Sequence, residues 1–289
     1  MKQGILKARD HKIRPRPLEL EIPDDLPRYW MGGDPYSTHL LNALSITFPP
    51  GERLFMAAVR ALRHKAEDPA LKEQIKAFLA QEALHSREHT GLNAWLTKQG
   101  YPADVFEQEV ADDIAQRRAA RGPYEDLAVT CALEHFTAIM AESWLKHPEL
   151  RERCHKDLQA LWLWHAIEEL DHKAVAFDVY EAAGGQYALR AITMVLVTIG
   201  LIGGVSIYQA QLMAHDKQHR NVKSWAKGLW TYWGPRGYFM KLIPSYLRYF
   251  KRDFHPWDSD DSALMAAAEA ELSRLTGVAY GLRQAADAA

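Results

Sequence analysis

The chain of 289 residues has two cysteines, Cys131 and Cys154, and no Cys-x-x-Cys pair. That excludes a disulfide framework and a thiolate zinc or redox motif, and it fits a reducing compartment. The sequence also lacks a Gly-x-x-x-x-Gly-Lys phosphate loop and a Gly-x-Ser-x-Gly nucleophile elbow, so neither P-loop nucleotide chemistry nor a serine hydrolase is expected. Net charge is only −2, which argues against polyanion binding by the molecule as a whole. The start, MKQGILKARDHKIRPRP, has no apolar signal core, so a cytoplasmic protein is expected. No repeat of solenoid period is present. Composition is that of a folded chain, 48% hydrophobic and 25% charged, long enough for one large or two modest domains.

Proline and helical periodicity organise what is there. Pro15, Pro17, Pro23, Pro27, Pro35 and Gly32-Gly33 punctuate residues 1–48, which read as an extended arm that wraps the body or serves a homodimer contact. A first helix is expected from Pro49-Pro50 and a second from Pro69 to Gln99, stopped by Gly100. A partly helical connection follows. A third helix starts near Pro123, and a fourth runs from Leu150 to Ala183 before Gly184-Gly185. Residues 49–187 then form one helical bundle, and 188–289 add an apolar helix, a basic and aromatic segment, and a last helix over residues 262–282.

Four stretches carry the chemistry: Glu52, Glu82-x-x-His85, Glu134 and Glu169-x-x-His172. A lone Glu on two helices and a Glu-x-x-His on two others converge to hold two metal ions in a four-helix bundle. Helix geometry aligns Glu82, His85 and His89 on one face, and His165, Glu168 or Glu169, and His172 on another. Carboxylates can bridge two ions and offset their charge, and neutral imidazole suits iron, manganese or zinc. Alone, each residue has a plainer reading: Glu52 as a first-turn charge, the Glu-x-x-His pairs as solvated faces, the histidines as core residues. Glu134 is the least ordinary, standing among Thr130, Cys131, Ala132 and Leu133, where a charge needs a partner. Between Glu168 and Glu169, only Glu169 completes the motif. Glu168, His89 and His165 are therefore candidate catalytic groups that orient a ligand, enlarge the metal set or carry protons.

This set resembles the ferritin-like di-iron carboxylate proteins, among them bacterial multicomponent monooxygenases, acyl desaturases and arylamine N-oxygenases, on Glu52, Glu82, His85, Glu134, Glu169 and His172. The stretches FPPGERLF, AFLAQEALHSREH and WLWHAIEELDHKAVAFDVY are also similar to a bacterial family described as predicted metal-dependent hydrolases. The first resemblance implies an all-α, ferritin-like bundle with two iron ions that activate dioxygen and an electron-donor protein. The extra histidines depart from the commonest di-iron set and make iron storage a poorer fit.

Residues 191–208 form a run of eighteen without charge, at the threshold of a membrane-spanning helix. Lysines and arginines follow the run, and a bundle on the cytoplasmic side competes with them for the same side in a single crossing. A buried or interfacial helix is therefore preferred, with a buried helix or a pocket wall as the plainer reading. From Lys223 to Trp257 basic residues alternate with aromatics, the composition of an interfacial membrane anchor. Nucleic-acid binding is not expected, since no matching motif is present. The expectation is a di-iron oxidoreductase acting on an apolar or lipid-like substrate. The alternatives are a dinuclear metal-dependent hydrolase, with zinc or manganese, and a non-enzymatic metal-binding protein at a membrane.

Overall fold

Asp34 caps the first long helix, α1 (Pro35–Leu62): its carboxylate accepts from the Ser37 backbone N–H at 2.9 Å and the Ser37 hydroxyl at 2.7 Å. The computed structural model describes residues 8–280. Helix α1 therefore starts fourteen positions before the expected Pro49, and the arm gives way to helix after Asp34. The prolines lie inside the helix. Pro49 has no N–H for the Ser45 carbonyl, and Asn93 Nδ2 from the neighbouring helix donates to that carbonyl instead, at 3.2 Å. The break in hydrogen bonding is repaired from outside, so the helix runs on.

Helix α2 (Pro69–Lys98) is capped by Asp68, and Gly100 follows it at φ +89°. Next come α3 (Ala103–Ala119) and α4 (Pro123–Lys146). The expected fourth helix is broken at both ends. A helical turn at Pro148–Arg151 precedes α5 (Lys156–His172), and α6 (Val175–Ala182) follows a break at Lys173 and Ala174. The first interruption is where the arm enters: the His155 N–H donates to the Trp30 carbonyl, and Met31 bridges Cys154. At the second, Lys173 turns its buried ammonium to Asp261 at 2.6 Å.

Helices α1, α2, α4 and α5 pack side by side, with α3 bridging α1 and α2. Apart from the Met31–Cys154 bridge, the described residues hold no β structure, so the fold is all-α. Its four-helix core is compatible with a ferritin-like bundle.

The C-terminal third adds α7 (Tyr187–His215), α8 (Val222–Trp233) and α9 (Ser262–Thr276). Helix α7 lies against α1 and α4, and of the two placements preferred from the sequence it is not the buried one: Ile192, Leu196 and Ile199 are 61%, 63% and 67% exposed. The last helix ends at Thr276, before Gly277 in left-handed conformation (φ +70°). Of the expected elements, arm residues 1–7 and positions 281–282 of the last helix lie outside the described residues.

Candidate metal centre

The four core helices each bring a carboxylate to one buried point: Glu52 from α1, Glu82 from α2, Glu134 from α4 and Glu169 from α5. All are at most 3% exposed. His85, His165 and His172 complete the cluster, in overlapping groups whose donor atoms lie within 4.8 Å of one another. Glu52, His85 and His165 make one group. Glu82, Glu134 and His172 make a second, and Glu82, His85 and Glu169 a third that shares members with both. Glu169 stands between them: its Oε1 is 3.1 Å from His165 Nε2 and 3.4 Å from His85 Nδ1, and its Oε2 is 3.8 Å from His172 Nε2.

Among the described residues, both oxygens of Glu52, Glu82 and Glu134 are buried without a hydrogen-bond partner, as are Glu169 Oε2, His85 Nδ1 and His172 Nε2. Such groups are costly to bury unpaired, and all of them are metal donors facing one another. Electrostatics points the same way. Burial, then the Glu82 carboxylate, pushes Glu52 and Glu134 well above the usual carboxylate range. His85 is driven up to about 10: burial opposes this, but Glu168, Glu169 and Glu82 outweigh it. Burial would also lower His172, but it is raised well above its ordinary value by Glu134, Glu169 and Glu82. Both sets of shifts reflect carboxylates crowded together in a buried space, a surplus of negative charge that two divalent cations would offset. The residues fit a dinuclear centre.

Outside the cluster, hydrogen bonds aim the imidazoles. Gln81 Oε1 sits 3.0 Å from His172 Nδ1, which leaves His172 Nε2 toward Glu82, 3.1 Å away. Gln81 Nε2 donates to Asp171 at 3.0 Å, and Asp171 is held by His11 and Arg16 of the arm. Glu168 faces away from the cluster. It accepts from the Arg16 backbone N–H at 2.6 Å and lies 3.1 Å from His85 Nε2, so His85 turns Nδ1 inward. Of the adjacent glutamates, Glu169 is in the centre and Glu168 positions His85.

The histidines beyond the Glu-x-x-His pairs differ from each other. His165 reaches the centre. His89 lies behind it, its Nε2 3.0 Å from His165 Nδ1 and its Nδ1 2.9 Å from Ser45 Oγ. Ser45, Asn93, Gln81, Asp171, His11 and Arg16 were not singled out in the sequence. Asn93 alone had a signal, since it continues the Glu82, His85, His89 face one turn further along α2.

A cavity of about 980 Å³ reaches the cluster at Glu52, His165 and Glu169. Its walls are mainly apolar, including Leu133, Val197 and Leu201, with Asp113, Arg117 and Arg121 among its lining.

Neither a curated protein nor a solved structure matches this chain. One family profile, described as "Predicted metal-dependent hydrolase", matches residues 14–260, from the arm through the cluster to the basic segment. The chain therefore belongs to the predicted metal-dependent hydrolase family.

Proposed function

We propose that the protein is a dinuclear metal-dependent hydrolase of an apolar, lipid-like ester or amide. The observation that carries this reading is the buried cluster of four carboxylates and three imidazoles at the end of a large apolar cavity, in a chain of this family. Glu82, Glu134 and His172 would hold one ion, Glu52, His85 and His165 the other, with Glu169 between them. Two such ions acidify water and polarise a carbonyl.

The remaining work falls to this chain's residues. The apolar walls seat the substrate and exclude bulk water. Glu168, Gln81 and Asp171 keep His85 and His172 in one orientation. Glu52, a carboxylate of the cluster, lines the cavity together with His165 and Glu169, so a seated substrate meets the centre on that side.

One observation favours a second reading, dioxygen activation by two irons: carboxylates from four helices with two Glu-x-x-His pairs are the ligand set of di-iron helical bundles. The deciding experiment pairs metal analysis with two assays, hydrolysis of nitrophenyl esters of increasing chain length and oxygen uptake by anaerobically reduced protein. Zinc or manganese with ester hydrolysis that rises with chain length and fails in Glu52→Gln supports the hydrolase. Two irons with oxygen uptake and no hydrolysis would replace it with the second reading.

A further inference from the structure

Between Glu181 and Asp253 the chain has one acidic residue, Asp216, and that residue is buried, with Arg28 and His39 as its partners. The same stretch holds nine lysines and arginines from Lys217 to Arg252. A protein of net charge −2 therefore concentrates positive charge in one continuous quarter of its length.

Helix α7 opens this stretch. Its apolar window has a mean hydropathy of 2.1, yet only 17% of that window is buried. Contiguous apolar surface on this scale marks an interaction site. The helix does not stand away from the body. Arg190 near its start donates to the carbonyls of Tyr249 and Lys251, and Gln209 near its end donates to the Tyr36 carbonyl at 3.0 Å. Tied down at both ends, it presents one long side rather than a free span. The basic segment continues the surface: Tyr246 hydroxyl meets Thr198 of α7 at 3.0 Å, and the neighbouring Ile243 and Leu247 are 41% and 58% exposed, just before Lys251 and Arg252. Trp230, 72% exposed on α8, adds a ring suited to a headgroup region.

We propose that this face docks on an anionic lipid surface and that the cavity behind α7 takes single-chain lipid from it. Exposed Ile192, Leu196, Ile199 and Ile207 also line the cavity. The route to Glu52, His165 and Glu169 thus opens through the apolar face. Gly200, Gly203 and Gly204 line it too, and a methyl group added at any of them would meet no described atom within 4 Å, so the space beside this part of the helix is open. Charge selects the lipid surface over a second copy of this chain. A twofold contact would set one excess of lysine and arginine near another, whereas anionic headgroups attract both. The lipid-uptake half of the proposal rests on the proposed function; the docking half does not.

The test is flotation of the full, metal-loaded protein with vesicles of phosphatidylcholine alone or mixed with phosphatidylglycerol. Binding to the anionic vesicles, weakened by salt, is expected. Leu196→Asp with Ile199→Asp should lower it about a hundredfold, with metal content and helical circular dichroism unchanged. Lys251→Glu with Arg252→Glu should remove the preference for anionic vesicles. No vesicle binding, or equal binding by the aspartate double variant, overturns the proposal. So does a dimer, seen by light scattering, that the double variant splits, because the face would then belong to a second copy. Vesicle binding without ester hydrolysis would count against the proposed reaction and leave docking standing.

Discussion

His165 Nδ1 lies 3.0 Å from Nε2 of His89, and the direction of that hydrogen bond is set from the far end of a chain of partners. Asn93 Nδ2 donates to the Ser45 carbonyl and to Glu107, so Asn93 Oδ1 accepts from the Ser45 hydroxyl. With its proton spent there, Ser45 Oγ accepts from His89 Nδ1, 2.9 Å away. His89 Nε2 then has a lone pair and accepts from His165 Nδ1. That leaves His165 Nε2 deprotonated, 3.1 Å from Glu169. A side-chain amide three hydrogen bonds away thus presents a neutral imidazole nitrogen to the centre. Burial, then the neighbouring His85, holds His165 at about 4, which keeps the ring neutral.

Ser45→Ala breaks this chain at its middle without touching the cluster. Metal affinity should fall about 10- to 100-fold, the usual cost of losing a partner that orients a ligand. Competition with a fluorescent chelator measures it. Unchanged affinity in Ser45→Ala would show that His165 keeps its orientation unaided.

How much of this was legible depends on where the partners lie. Glu52, Glu82, His85, Glu134, Glu169 and His172 share a local grammar of helix spacing, and the fold brings all six together. The chain before Pro49 misled because α1 is buried on every side there: Ser37, Thr38, His39, Asn42 and Ser45 are all inaccessible. A helix wrapped all round has no polar face to give an amphipathic period. Its polar groups are satisfied by distant residues, as Asn42 is by Trp30 and Ser45 by Asn93. Helix α7 shows a different limit: hydropathy cannot tell a buried helix from one whose apolar side faces outward, and the sequence left both open.

Glu134→Gln should change the sign of its effect with the metal. In the metal-free protein a buried carboxylate with neither oxygen hydrogen-bonded is replaced by a neutral amide, which should stabilise the fold by about 1–3 kcal/mol. In the metal-bound protein the same change removes a ligand, so metal content drops and the stabilisation from binding shrinks. Thermal melts with and without chelator should therefore cross between wild type and variant. A variant less stable than wild type in both states would remove Glu134 from the centre.

The two thiols give a probe that owes nothing to the site. Cys131 and Cys154 are 2% and 3% exposed, and burial pushes both thiols up, further from the reactive thiolate. Neither should be alkylated in the native protein at neutral pH, and both should react once the bundle unfolds. Iodoacetamide labelling followed by mass spectrometry along a urea series should thus track the loss of helix by circular dichroism. Labelling of Cys154 ahead of that loss would reveal separate opening at the arm, where it bridges Met31.

His135 should make the fold sensitive to mild acid. It is buried beside Tyr249 and Phe254, with ring centroids 4.9 and 5.2 Å away, and its Nε2 lies 3.2 Å from the Ser245 carbonyl. Burial drives its pKa down to about 3, outweighing the Ser245 hydrogen bond that opposes it. The unfolded chain takes up this proton below about pH 6.5, the ordinary histidine value, and the folded chain refuses it. The contribution is therefore complete above pH 6.5 and is lost as pH falls toward 3. His135→Phe keeps the aromatic packing and removes the titration, at the cost of the Ser245 hydrogen bond. Acid also strips metal, so both proteins should be compared in chelator. Unfolding free energy from urea melts should fall less steeply between pH 6.5 and 4.5 in the variant than in wild type. Parallel slopes would show that His135 takes up its proton without leaving the folded state.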